Sequence, residues 1–253
     1  MALPAALPAA FLALPIAHRG LHGPAVPENS LAAARAAIDA GYAIELDIQP
    51  AGAEAVVFHD YDLRRLTGRD GFVSALDPAS LAGLRLLGSD QSVPTLRQFL
   101  DLVAGRVPLL IEIKDQDMRL GPQIGELHRR VAGELQGYDG PVAVMSFNPH
   151  VVEAFHRIAP DIPVGLTTCG FDADDWPGIA PDTLRRMADI EDFDRCGACF
   201  ISHDKADLAN PRVDALKALG VPILSWTIRS PEEEALARHV ADNITFEGYR
   251  AAL

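Results

Sequence analysis

The sequence predicts an α/β protein of the TIM-type (β/α)8 barrel class, somewhat irregular, formed as a single domain over residues 1–253. Three observations lead there. Short β-like runs alternate with helix-like stretches along the whole chain, as in a parallel sheet with helices outside it. Runs such as Leu109-Leu110-Ile111-Glu112-Ile113-Lys114 are apolar and then end in charge, as a barrel strand does when its C-terminal end faces a site. The length, 253 residues, is close to the roughly 250 that one such barrel takes. A doubly wound open sheet is the alternative, although no GxGxxG or Walker loop supports a nucleotide site in it.

The strand candidates, in order, are Pro15–His18, Ala43–Ile48, Ala55–His59, Pro108–Lys114, Val142–Phe147, Pro163–Thr168, Ala198–Ser202, Pro222–Ile228 and Asn243–Glu247. That is nine for eight barrel places. The link between the second and third is too short for a crossover helix, so those two are expected to form a hairpin-like irregularity. The first helix, Ser30–Ala40, opens at Glu28-Asn29-Ser30, a plausible N-cap. Thr95–Val103 follows Pro94, and Pro122–Leu135, Pro149–Ile158, Asp182–Ala188, Pro211–Leu219 and Pro231–Val240 start near a proline, which suits a first helical turn. Leu63–Val93 has weak periodicity and reads as a short inserted excursion on the surface that could cover a site; the stretch 171–181 reads as a second loop.

Composition narrows the function. Lys plus Arg number 22 against 35 for Asp plus Glu, a formal charge of −13, with 49% hydrophobic and 23% charged residues. This balance excludes wholesale disorder. The negative charge argues against nucleic acid and against stable membrane association as partners, but a local cation cluster can still receive a small anionic substrate. The apolar N-terminus lacks a positive leading region, is broken by prolines and runs straight into His18-Arg19-Gly20, so it reads as a lead-in segment before the first strand. With three cysteines and no paired pattern, a cytoplasmic location is expected.

Chemistry gathers at the strand ends. The first strand ends in His18-Arg19-Gly20 and the third in His59-Asp60. The second carries Glu45 and Asp47, and the fourth Glu112 and Lys114, each pair two residues apart and so on one face. Three carboxylates converging on one barrel mouth repel unless a cation lies between them, and an all-oxygen set suits one hard divalent ion, Mg²⁺ or Ca²⁺. His18 and His59 suit a general acid and general base, and Arg19 and Lys114 supply positive charge for an anionic group. Phosphoryl transfer uses this combination.

The ordered set His18-Arg19-Gly20, Pro27-Glu28-Asn29-Ser30, Ile44-Glu45-Leu46-Asp47-Ile48, Val56-Val57-Phe58-His59-Asp60, Val93-Pro94-Thr95-Leu96, Leu110-Ile111-Glu112-Ile113-Lys114 and Ser225-Trp226-Thr227 resembles the glycerophosphodiester phosphodiesterase family, of the PI-PLC-like phosphodiesterase superfamily. The resemblance is dense from Ile16 to Lys114 and sparser afterwards. It implies a TIM-type barrel, a divalent cation held by Glu45, Asp47 and Glu112, an acid–base pair in His18 and His59, and phosphate contacts from Arg19 and Lys114. It also implies that Trp226 lines the alcohol side of the pocket. The implied reaction is metal-dependent hydrolysis of a small glycerophosphodiester to glycerol 3-phosphate and an alcohol, with water or the glycerol 2-hydroxyl as nucleophile. Two features depart from the family pattern. The segment between His59 and Pro94 is shorter than the usual insertion, and the last strand reads Ile244-Thr245-Phe246-Glu247-Gly248 where the family commonly has Thr-Asp and then Pro.

Other residues carry weaker signals. Phe147 is a candidate for the apolar pocket wall. His203-Asp204-Lys205 could reach the barrel mouth. The Cys196-Gly197-Ala198-Cys199 pair reads mainly as packing, Trp176 as loop packing, and His128, His156 and His239 as outer surface. His22 lacks the His-x-His spacing of amidohydrolase barrels. Two other functions are open: a phospholipase D-like enzyme acting on a lysophospholipid, and a non-catalytic phosphoanion-binding barrel. The intact acid–base pair argues against the second.

Overall fold

The computed structural model describes residues 5–253, so part of the lead-in segment expected at the N-terminus lies outside the described residues. Among those described, nine strands form one sheet: β1 (Ile16–Ala17), β2 (Ala43–Ala51), β3 (Glu54–Val57), β4 (Leu109–Ile113), β5 (Val142–Ser146), β6 (Val164–Thr168), β7 (Phe200–Asp204), β8 (Ile223–Ile228) and β9 (Asn243–Phe246). Eight run parallel around a closed ring, in the order β1-β2-β4-β5-β6-β7-β8-β9, with β9 pairing back onto β1. This is the expected TIM-type barrel. The ninth candidate is the hairpin arm: β3 pairs antiparallel with β2, Ile48 opposite Val57 and Ala51 opposite Glu54. Gly52, at φ 56°, makes the tight reversal between them.

Alternation along the strands decides what the barrel holds. Ile16, Ala43, Leu110, Ala143, Met145, Phe200 and Leu224 pack with Leu7 and Phe11 into one buried apolar cluster that fills the lower barrel. Two residues further along the same inward rows, the side chains turn ionisable: Glu45 and Asp47 follow Ala43, and Glu112 and Lys114 follow Leu110. Residues of the alternate rows, such as Ile44, Leu46, Ile48, Ile111 and Ile113, belong to the outer core against the helices. The plug needs room at one point. A Cβ on Gly165 would lie 2.4 Å from the Phe200 ring, so glycine at 165 is what lets that ring fill the interior.

Helix starts follow the chemistry expected of them. The Ser30 hydroxyl accepts from Ala33 N at 3.1 Å to open Leu31–Ala40, and Thr95 with Gln98 forms a reciprocal capping box on Leu96–Val103. Pro149, Pro181, Pro211 and Pro231 each occupy a first helical turn. One start is later than expected: the helix that Pro122 was to open runs only over Leu127–Leu135, because Gly121 and Gly125 bracket a loop and Gly125 takes φ 58°. The excursion folds back on itself. Leu63, Val73, Leu81, Leu84 and Leu86 bury against Val56 and Phe58, so it flanks β3, and Phe72 and Leu87 stay exposed.

Other expectations are corrected or refined. His128 is buried, not on the outer surface, because it lies on the same helix face as Leu127, Val131 and Leu135. His203 is fully buried and bonded to Thr168 Oγ1 (2.8 Å) and the Asp207 carbonyl (3.0 Å), which turns it away from the barrel mouth. The three cysteines are free thiols, and burial pushes Cys169 and Cys199 up to about 11 and Cys196 to about 12. Thiolate is therefore scarce near neutrality, which suits packing rather than redox chemistry. No described helix is long and apolar enough to cross a membrane.

Gly165→Ala is expected to destabilise the protein by about 2–3 kcal/mol in urea unfolding, as overpacking does, and Phe200→Leu in the same chain to recover part of the loss. In native protein at pH 8, iodoacetamide is expected to label Cys196 at least about a hundredfold more slowly than in unfolded chain, since raising a thiol pKa removes thiolate in proportion.

Candidate active site

The C-terminal mouth of the barrel gathers the residues singled out from the sequence. A cavity of about 180 Å³ there is lined by His18, Arg19, Glu45, Asp47, His59, Glu112, Lys114, Phe147 and Trp226, among others. Carboxylate oxygens of Glu45, Asp47 and Glu112 all lie within 4.8 Å of one another, and all three residues are buried. At that spacing each like-charged pair costs about 3 kcal/mol even at an effective dielectric near 20. The fold answers with cations. Lys114 Nζ lies 2.6 Å from Asp47 Oδ1 and 2.5 Å from Glu112 Oε1, and Arg19 Nε lies 3.4 Å from Asp47 Oδ2.

These contacts divide the carboxylates. Burial alone would push Asp47 up, but Lys114, His59 and Arg19 outweigh it and hold its carboxyl well below the usual range. Glu45 goes the other way. Burial, then the neighbouring charges of Asp47 and Glu112, push it well above the usual range, and the facing backbone N–H of Arg19 (3.0 Å) offsets this only in part. Lys114 is held above its ordinary value because Asp47 and Glu112 outweigh its burial. The side chains present thus leave Glu45 short of positive charge in an all-oxygen donor set. That is the chemistry a hard divalent cation fits.

Local sequence explains the positioning. After β1 the chain reverses through Arg19 (φ 54°) and Gly20 (φ 77°); a Cβ on Gly20 would meet Ala33 Cβ at 2.8 Å, so the turn sits hard on the first helix. The reversal aims the Arg19 N–H at Glu45. Asn29, also at positive φ, pins Asp47 from both sides: its side-chain Nδ2 donates to Oδ2 (2.9 Å) and its Oδ1 accepts from the Asp47 backbone N–H (3.3 Å).

Each histidine has its Nδ1 engaged by a carboxylate. His18 Nδ1 lies 2.5 Å from Glu247 Oε2, leaving Nε2 4.0 Å from Glu45. His59 Nδ1 lies 2.8 Å from Asp60 Oδ1. A carboxylate on Nδ1 fixes the tautomer and leaves Nε2 available for proton exchange. Burial lowers the His18 pKa, with the Glu247 hydrogen bond opposing it. Asp60 is in turn gripped by Arg65, whose guanidinium also takes both oxygens of Glu28, all four contacts at 2.7–2.9 Å. Glu28 accepts from Arg19 Nη1 at 2.8 Å. A continuous chain of charges therefore links Arg19 to His59 through Glu28, Arg65 and Asp60.

All nine candidate residues come together: His18, His59, Glu45, Asp47, Glu112, Arg19, Lys114, Trp226 and Phe147 line one cavity. The Trp226 and Phe147 rings meet edge to face at 5.7 Å. Sequence reasoning missed Glu247, Arg65 and Arg229 as site residues. Arg229 lines the cavity and donates to Glu247 Oε1 at 2.8 Å. Glu247 and Arg229 follow strand ends, so the rule that found Glu112 and Lys114 would have found them. Arg65, in the excursion, carries no such signal. Trp176 is more than loop packing: with Phe147 and Tyr61 it lines an adjoining cavity of about 410 Å³.

The sequence profile of the Glycerophosphoryl diester phosphodiesterase family matches residues 18–243. Among solved structures, an Oleispira antarctica phosphodiesterase, in complex with the product sn-glycerol-3-phosphate, is 24% identical with a TM-score of 0.74, covering 94% of each chain. A Parabacteroides distasonis glycerophosphodiester phosphodiesterase is 22% identical (TM-score 0.71, 91% of each chain), and one from Thermotoga maritima is 20% identical (TM-score 0.69, 92% of this chain and 94% of that one). These likenesses carry the barrel fold. A search of curated proteins finds no match. Barrel, site and profile together define a phosphodiesterase. The chain belongs to the glycerophosphoryl diester phosphodiesterase family.

Glu247→Ala is expected to lower kcat for a phosphodiester about 10- to 100-fold, the usual loss when the partner of a working histidine is removed. Glu247→Asp should recover part of that loss, with circular dichroism unchanged in both variants.

Proposed function

We propose that this chain hydrolyses small glycerophosphodiesters to glycerol 3-phosphate and an alcohol, in a reaction that depends on one divalent cation, Mg²⁺ or Ca²⁺, and on proton transfer by His18 and His59. The observation that carries the reading is the pair of histidines, each with Nδ1 held by a carboxylate, at one cavity with three buried carboxylates, the buried Lys114 and the partly buried Arg19. Binding alone needs no acid–base pair, so this arrangement favours turnover over a phosphoanion-binding role.

Glu45, Asp47 and Glu112 would hold the cation, which supplies polarisation of the phosphodiester oxygens when bound. Arg19 and Lys114 meet the negative charge of the phosphate. Both are already aligned by carboxylates, so little side-chain freedom is lost on binding. One histidine accepts the proton of the attacking hydroxyl at Nε2 and the other returns a proton to the leaving alcohol. Trp226 and Phe147 form the apolar wall on the alcohol side. The adjoining cavity across Phe147 gives the leaving group its space. A net charge of −13 keeps nucleic acid and anionic membranes from competing as partners, and we read the chain as a cytoplasmic single-domain enzyme.

The test is incubation with a panel of glycerophosphodiesters and a lysophospholipid, with Mg²⁺, with Ca²⁺ and with chelator, followed by detection of glycerol 3-phosphate. Release from the water-soluble diesters, abolished by chelator, is expected. His18→Ala and His59→Ala should each lower kcat by about 10²–10⁴ with the fold retained. Near-native turnover in both variants would remove the histidines from the mechanism, and full activity in chelator would remove the cation.

A further inference from the structure

The cavity has two chemically different walls. β2 and β4 present the carboxylates and Lys114. Across the ring, β6, β7 and β9 present Thr167, Ser202 and Thr245, all lining the same cavity. These three residues are 2%, 0% and 1% exposed, and none of their hydroxyl oxygens has a hydrogen-bond partner. A buried hydroxyl left unpaired costs about 1–3 kcal/mol. Valine or alanine would fill the same space without that cost, and on β7 the inward row does turn apolar just below, at Phe200. Ser225 also lacks a partner, but it does not line the cavity.

Three of the four buried hydroxyls without a partner among the described residues therefore line the cavity, where a ligand reaches. Their chemistry selects the fragment. A hydroxyl both donates and accepts and carries no charge, so this wall matches a neutral polyol, while the phosphate has Arg19 and Lys114. The space, about 180 Å³, is less than half that of the adjoining cavity of about 410 Å³.

We propose that Thr167, Ser202 and Thr245 form the subsite that reads the free hydroxyls of the glycerol arm, which makes them specificity-determining residues. This rests on the phosphodiesterase reading above. A site built to bond hydroxyls rejects an analogue that lacks them, because its own buried groups then stay unpaired.

The test compares sn-glycerol 3-phosphate with n-propyl phosphate by calorimetry, in the native protein and in Thr167→Val, Ser202→Ala and Thr245→Val, singly and combined. Turnover of a glycerophosphodiester and of its propyl counterpart with the same leaving alcohol is measured alongside. The native protein is expected to favour the glycerol ligand at least about tenfold, and the combined variant to bring that ratio to near one. The replacements remove unpaired polar atoms, so thermal stability should hold or rise; if the combined variant fails to fold, each single variant should still lower the ratio. A ratio unchanged by the substitutions, or no preference in the native protein, overturns the subsite even where diesters are hydrolysed. Equal weakening of both ligands overturns it too, since the hydroxyls would then only support the wall. A tenfold preference lost in the variants, with no diester hydrolysed, would leave the subsite standing and defeat the phosphodiesterase reading instead.

Discussion

Repulsion among Glu45, Asp47 and Glu112 is the constraint on which the rest of this site depends. Their oxygens are forced within 4.8 Å by the parallel register of β2 and β4, which sets Asp47 beside Glu112. Neither strand can shift without turning its inward row to the helix side. The surroundings follow from this pressure: Lys114 bridges two of the carboxylates, Arg19 turns its backbone N–H on the third, and Asn29 locks Asp47 from the adjoining loop. These devices satisfy Asp47 and leave Glu45 undercompensated. Such an imbalance in a buried all-oxygen set is what a divalent cation would relieve.

The barrel converts that local imbalance into a working geometry. Its lower interior is a close-packed apolar plug, so the polar layer above it has a rigid floor. Its upper rim brings together loops from distant parts of the chain, and the side chains gathered there are held by second groups. Glu247 holds His18, Asp60 holds His59, and Arg65 ties Asp60 to Glu28 and so to Arg19. The short excursion thereby gains a role other than covering the site: it supplies the guanidinium that joins the two arms of the rim. The overall negative charge of the chain does not by itself oppose an anionic substrate, because the field inside the mouth is set by nearby groups, and a cation bound among the three carboxylates would reverse it there.

Much of this was legible in the sequence, for specific reasons. Period-two spacing put Glu45 with Asp47 and Glu112 with Lys114 on single faces, and the short link from Gln49 to Glu54 exposed the hairpin that disturbs the barrel count. Helix starts were legible where proline or serine marks the first turn, and less so at Pro122, where flanking glycines delay the helix to Leu127. Partners made by barrel closure were not legible. Glu247 is 229 residues from His18, and Arg65 is 37 from Glu28, and no local pattern ties either pair. His128, expected on the outer surface because it falls on a helix, lies instead on that helix's buried face with Leu127 and Val131.

The central claim is that the three carboxylates form a cation site, and it can be tested apart from catalysis. The most direct measurement is calorimetric titration of Mg²⁺ and of Ca²⁺ into metal-free protein, beside folded Glu45→Gln and Asp47→Asn variants. The account expects one divalent ion bound per native chain, with binding lost or weakened at least about tenfold in both variants, as removal of a charged oxygen ligand should do. Absence of binding by the native protein, or equal affinity in the variants, would contradict it.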